Sequence, residues 1–215
     1  MKPFVRMLVV ACVVLTSTSM SRAALVQRVI SLDPQFFESF ETTTDLTSVM
    51  DGLASVTGAG GATVVIQNGN YFNLWDQHAF DGSQFLGGAA GYGTSATVEI
   101  SFQVPVNAFG GLFGHRVHPG INSSGETQFV FYDSRDREIG RDSVLIGSDP
   151  GSVPAYWRFN RDVKRITFTS IHPMADALVA NLTPFQAKKL TRKLLKTSGT
   201  SGIAEVAASS TDAAM

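Results

Sequence analysis

The chain has 215 residues, a single cysteine, and 18 acidic against 17 basic side chains. That length allows one core of ordinary size, the lone cysteine excludes an internal disulfide, and the near-neutral balance offers no basic field for nucleic acid. The charges are unevenly placed: Ala24 to Pro184 holds sixteen acidic and nine basic residues, whereas Lys188, Lys189, Arg192, Lys193 and Lys196 crowd the segment that follows.

Residues 1–23 read as a cleavable signal peptide and predict a secreted protein. Lys2 and Arg6 precede an apolar run from Met7 to Leu15, and Ser21-Arg22-Ala23 supplies the small residues a signal peptidase accepts. The run is far shorter than the roughly twenty residues of a membrane span, so no stable membrane insertion is expected after cleavage. Cleavage after Ala23 also removes Cys12, leaving the mature chain without a thiol. A competing pattern, Val9-Val10-Ala11-Cys12, fits a lipoprotein box loosely. The apolar run continues beyond Cys12, and the segment before it is short.

Downstream, apolar and polar residues alternate with period two in several β-branched and aromatic runs, the signature of half-buried strands. In chain order these are Val26 to Leu32, Ala62 to Gln67, Ala96 to Phe102, Ala108 to Phe113, Thr127 to Tyr132, Glu138 to Ile146, Tyr156 to Phe159 and Val163 to Thr169. Val98, Ile100 and Phe102 share one face, as do Ile166 and Phe168. Thr127 to Tyr132 becomes apolar on both faces, which predicts a central strand. Asp133 to Arg137 reads as its turn and Gly140 as a bulge in the returning strand.

Glycine and Asx clusters punctuate the runs, and Gly87 to Gly93 reads as a mobile loop. Short strands so spaced predict an all-β fold of two packed antiparallel sheets. The sandwich domain is expected over residues 24–184. Residues 185–196 place Leu190, Leu194 and Leu195 at helical spacing among cations and predict a short basic amphipathic helix. Residues 197–215, rich in Ser, Thr, Ala and Gly, predict a disordered tail.

A set of short motifs in fixed order runs from Phe36 to Leu182: Phe37-Glu38-Ser39-Phe40-Glu41, Gly82-Ser83-Gln84-Phe85-Leu86-Gly87, and Ile100 to Gly110. Phe131-Tyr132-Asp133 with Ile139-Gly140, Val163 to Phe168, and Asp176-Ala177-Leu178 complete it. This order resembles the secreted bacterial β-sandwich proteins that often carry a PEP-CTERM sorting signal. The resemblance implies a jelly-roll or galactose-binding-like sandwich associated with exopolysaccharide or the cell surface. The sorting tail itself is absent, since Pro184 is followed by a basic helix in place of Pro-Glu-Pro, an apolar helix and arginines.

Several constellations have the residue types that chemistry requires. Tyr71, Trp75 and Asp76 lie in a polar stretch with Phe72, where flat rings can stack on sugar C–H faces and Asn or Asp can bond hydroxyls, and they form the predicted ligand-binding set. Glu38 and Glu41 are the pair a glycan-cleaving enzyme would use as acid and nucleophile or base, and Asp133 with Asp136 is a second pair, in a turn where aspartate is common for backbone reasons. Glu38, Glu41 and Asp176 are the expected ligands of a structural calcium, a cation suited to oxygen donors and to extracellular conditions, if early and late strands adjoin. A zinc site would have to recruit His115 and His118, which an extended strand points to opposite faces. No Gly-x-Ser-x-Gly and no phosphate loop occurs. Asn122-Ser123-Ser124 and Asn181-Leu182-Thr183 match a glycosylation pattern that matters only in a host that glycosylates.

The reading that fits best is a secreted non-catalytic module that binds carbohydrate or exopolysaccharide, or contributes to a surface matrix, with a basic tail contacting anionic surfaces. The alternatives are a glycoside hydrolase or lyase acting through paired carboxylates, and a purely structural adhesion or matrix protein.

Overall fold

The computed structural model describes residues 25–68, 84–90, 94–115, 125–146 and 153–197. Ten strands occupy Val26–Val29 (β1), Phe36–Glu38 (β2), Ala54–Ala59 (β3), Thr63–Asn68 (β4), Gln84–Ala89 (β5), Ser95–His115 (β6), Gly125–Tyr132 (β7), Glu138–Ile146 (β8), Val153–Ile171 (β9) and Pro173–Asn181 (β10), and one helix, α1, spans Pro184–Thr197. All pairings are antiparallel. No described helix is long and apolar enough to cross a membrane.

The architecture turns on β6 and β9, which pair with each other along almost their whole length. Their register breaks between Ser101 and Ala108, opposite the stretch from Arg165 back to Arg158. On the near side of that break, Ser95 to Phe102 pairs with β3 and with the last third of β9, which continues to β7 and β8. On the far side, Ala108 to His115 pairs with β10 and with the start of β9, which carries β1 on its other edge. One bent ribbon thus serves as the centre of two layers, β3-β6-β9-β7-β8 and β4-β5-β10-β6-β9-β1. The free edge of β10 is divided between β5, at Met174 and Ala175, and β2, at Leu178 to Ala180.

Ring contacts show that the layers face each other. Phe129 and Phe131 of β7 lie 4.6 and 5.3 Å from Trp157 of β9, and Phe113 of β6 lies 4.8 Å from Phe129 and 5.7 Å from Phe168. In each of these pairs the two rings come from opposite layers, so the interior is an aromatic core shared between sheets, the two-sheet sandwich expected from the alternation. Trp157 is fully buried and its indole N–H donates to Asp142 Oδ2 at 2.7 Å, giving the buried polar atom its partner.

Two glycines are dictated by close approach. A Cβ at Gly110 would lie 2.3 Å from the Tyr156 ring and 2.6 Å from the Ala155 carbonyl, so no side chain fits at this position. Gly88 lies in β5, where a Cβ would meet Val98 Cγ2 at 2.8 Å. Gly87 to Ala89 is therefore strand rather than the mobile loop read from its composition; these glycines serve packing. The bulge expected at Gly140 falls beside it, on Ile139, and Gly140 itself is the place where Val26 of β1 comes closest.

At the C-terminus Thr183 caps α1. Its hydroxyl accepts from Gln186 N at 3.3 Å, and the Gln186 side chain returns the bond to Thr183 N at 2.7 Å, a capping box with Pro184 as first helical residue. Gln186 is 3 % exposed and also donates to Asp162, while Leu190, 4 % exposed, inserts in the core. The helix expected over 185–196 is thereby fastened to the sandwich and is part of the domain surface.

Candidate functional site

β2 pairs with β10, so the chain leaving β2 at Glu38 starts from a fixed edge. It then turns sharply: Phe40 has φ 63°, Met50 52° and Asp51 56°, three non-glycine residues in the left-handed region, followed by Gly52 at 79°. Each such residue costs on the order of 1 kcal/mol or more and persists only where its surroundings impose it. Here the imposition is visible. The side chains of Phe40 and Met50 are fully buried, and one carboxylate gathers the backbone around it. Glu38 Oε1 accepts from Phe40 N at 2.9 Å and from the Thr43 hydroxyl at 2.6 Å, and Oε2 accepts from Met50 N at 3.0 Å. Val49 and Ala54 close the loop with a pair of backbone bonds, and Asp45, whose carboxyl is held below its usual range by bonds from Thr47, makes a local turn.

The result is a cleft of about 400 Å³ lined by Phe37, Glu38, Ser39, Thr42, Thr43, Ser48, Asp51, Gly52 and Leu194. Leu194 of α1 forms the far wall, at ordinary contact distance (3.4 Å) from where a Cβ on Gly52 would stand, so Gly52 is set by its positive φ and not by crowding. The lining is hydroxyl-rich, with an exposed carboxylate at Asp51, and Phe37 stands at the rim with 53 % of its surface open. Hydroxyls that both donate and accept, a carboxylate that accepts twice, and one flat apolar ring are the groups that recognise a polyol.

The predicted residues are distributed as follows. Tyr71, Trp75 and Asp76 lie outside the described residues, as do residues 1–23, His118 and the tail beyond Thr197. β5 opens at Gln84, whose N–H donates to Glu41 Oε1 at 2.8 Å, so the start of β5 is tied to the chain that leaves β2.

Glu38 and Glu41 bond to different parts of the chain. Glu38 is bound by three donors from the 40–50 loop, and Glu41 holds Gln84. Asp176, 2 % exposed, sits where the β10 register slips between Ala175 and Ala177, at the handover from β5 to β2. The expected adjacency of early and late strands is present, with Glu38 opposite Leu178. Among the described residues no three His, Cys, Asp or Glu side chains come together to hold a metal ion, and the Glu38 carboxylate bonds to its own loop.

Asp133 behaves as a turn anchor. It accepts from Arg135 N, Arg137 N and the Arg137 guanidinium, whose hydrogen bond is the main cause that lowers its carboxyl to about 2. Asp136 binds Arg165 at 2.6 Å, and that guanidinium also lies 3.7 Å from the centre of the Tyr132 ring. The cleft around Ser48, Asp51 and Leu194 was missed in the sequence because its residues belong to two segments joined only by the fold. The one available signal was the polar run Glu41 to Asp51 next to a predicted binding motif.

No family model matches the chain, and no curated protein matches it at a significant level. Among solved structures, the K2 cleaved adhesin domain of Lys-gingipain is 10 % identical, with a TM-score of 0.43 over 67 % of this chain and 96 % of that one. The N-terminal CBM22 tandem of Paenibacillus barcinonensis Xyn10C is 11 % identical, with a TM-score of 0.42 over 76 % of this chain and 48 % of its own. A DUF4465 family protein from Bacteroides caccae is 14 % identical, with a TM-score of 0.41 over 77 % and 97 %. At these scores the likeness assigns neither a family nor a ligand.

Proposed function

We propose that this protein is an exported, non-catalytic carbohydrate-binding module, of the kind that associates with bacterial exopolysaccharide and surface matrices, and that the cleft beside Phe37 receives the sugar. The observation that carries the reading is the cleft itself: a hydroxyl- and carboxylate-lined hollow, pre-shaped by left-handed backbone, with an open aromatic ring at its rim. Pre-shaping matters because hydroxyl-for-water exchange yields little net free energy, so a sugar site gains by having no loop to order on binding. Tyr71, Trp75 and Asp76 precede Gln84, which is bonded to Glu41, and supply further stacking in this reading. A cleaving enzyme needs a carboxyl free to exchange a proton, and the Glu38 carboxylate already accepts three hydrogen bonds, which supports binding over turnover.

A glycan array followed by affinity electrophoresis on the polysaccharides that score tests the proposal. Loss of the ring in Phe37→Ala should weaken binding about tenfold, the worth of one aromatic stack, and Trp75→Ala should weaken it further. Release of reducing ends by the wild-type protein would favour the glycan-cleaving alternative. Absence of both binding and release would favour a purely structural matrix protein.

A further inference from the structure

Five of the chain's seventeen Lys and Arg, and none of its eighteen Asp and Glu, fall within the fourteen residues of α1. Lys188, Lys189, Arg192 and Lys196 are exposed, and none of them enters an ion pair among the described residues. On a helical projection these four share the outward face with Phe185 (78 % exposed) and Leu195 (48 %). Lys188, Arg192 and Lys196 repeat at four-residue steps, about 6 Å apart along the axis. Like charges so spaced destabilise a helix locally, and here the capping box and the buried Leu190 hold it in place regardless. Lys164 adds to the field from below: burial lowers its pKa first, and Lys193 and Lys189 lower it further.

We propose that the outward face of α1 is a docking surface for an acidic polysaccharide, a linear polyanion carrying one carboxylate per sugar. Charge complementarity selects an anion, and the regular step of the cations, comparable with the length of a pyranose, suits a chain with evenly repeated charge. A bilayer fits less well, because Ala187 and Leu190 of α1 pack against the sandwich and leave only Phe185 and Leu195 as apolar groups among the outward cations. Leu194 faces the polyol cleft from the side of α1 opposite these cations, so surface and cleft can each be tested without the other.

The probe is polygalacturonate, titrated by calorimetry into the full chain at low and at physiological salt, with dextran and phosphatidylglycerol vesicles as parallel arms. Binding to polygalacturonate should weaken as salt rises. It should fall roughly a hundredfold in Lys188→Gln/Arg192→Gln/Lys196→Gln, on the scale of about fivefold per cation beside a polyanionic surface. The salt dependence, which recognition of a neutral polyol lacks, keeps failure of this surface distinct from failure of the cleft. Circular dichroism of the triple variant checks that α1 remains. The proposal is overturned by equal binding of the triple variant, by equal binding of dextran, by no binding of polygalacturonate at low salt, or by binding to the vesicles alone.

Discussion

Replacing Glu38 by Gln separates a structural carboxylate from a catalytic one. The side chain keeps its shape and retains one oxygen for Phe40 N–H and the Thr43 hydroxyl, but it sets an amide NH2 against Met50 N–H, now 3.0 Å from an acceptor. One bond to an ionised acceptor is lost outright, two weaken as the charge disappears, and two strained residues, Phe40 and Met50, lose the group that holds them. Bonds to charged groups are worth about 1.5–3 kcal/mol each, so the variant should be less stable by about 2–3 kcal/mol. For a domain of this size that lowers the melting temperature by about 5–10 °C. Urea unfolding followed by tryptophan fluorescence, with a thermal melt as second readout, measures it. A Glu38→Gln protein within about 0.5 kcal/mol of the parent, the range of an ordinary surface change, would refute the clamp. If that stable variant had also lost a polysaccharide-cleaving activity present in the parent, the catalytic reading of Glu38 would replace it.

Two further substitutions probe the scaffold. The Asp133 carboxyl titrates at about 2 in the fold and near 3.9 unfolded, so the unfolded chain binds more protons between these values. Its contribution is therefore complete above pH 4 and disappears as pH falls toward 2; Asp133→Asn should flatten the acid limb of the urea midpoint measured from pH 5 to pH 2, and an unchanged limb would assign acid sensitivity elsewhere. Gly110→Ala places a methyl 2.3 Å from the Tyr156 ring and 2.6 Å from a carbonyl, and should cost about 3 kcal/mol or more, read as a lowered melting temperature that Tyr156→Ala in the same chain partly restores.

The strands that could be read from the sequence are those with one wet face. Val98, Ile100 and Phe102 are all buried, with Thr97, Glu99 and Ser101 opposite, and the hairpin from Thr127 through Ile146 has its expected partners. What alternation could not show is that β6 continues past Pro105. The inward set runs through Val104 and Val106 to Ala108, then shifts phase to Phe109 and Phe113, so a single strand looks like two. β10 has eight consecutive buried residues and therefore no alternation to find. β5 was concealed by glycines whose role, packing against Val98, depends on a strand distant in sequence. The histidines show the same limit: the register sets the His115 backbone opposite Pro173, next to His172, although the two are far apart along the chain. At the cleft, the sequence offers Glu38 as a paired carboxylate or a calcium ligand, and its use as a backbone clamp depends on Met50, twelve residues on, arriving with its N–H turned inward.

The bent ribbon of β6 and β9 has a consequence for how the protein comes apart. In most sandwiches the layers are held by side chains alone and can slide or part. Here two covalent strands pass through both, so opening either layer pulls on the hydrogen-bond ladder of the other. Amide exchange along Val98 to Phe113 should then report one opening energy on both sides of the bend, and the cleft at the β2–β10 edge inherits the rigidity of the whole domain. A ligand held there would stiffen nothing that is not already stiff, and its dissociation would not wait on a layer moving.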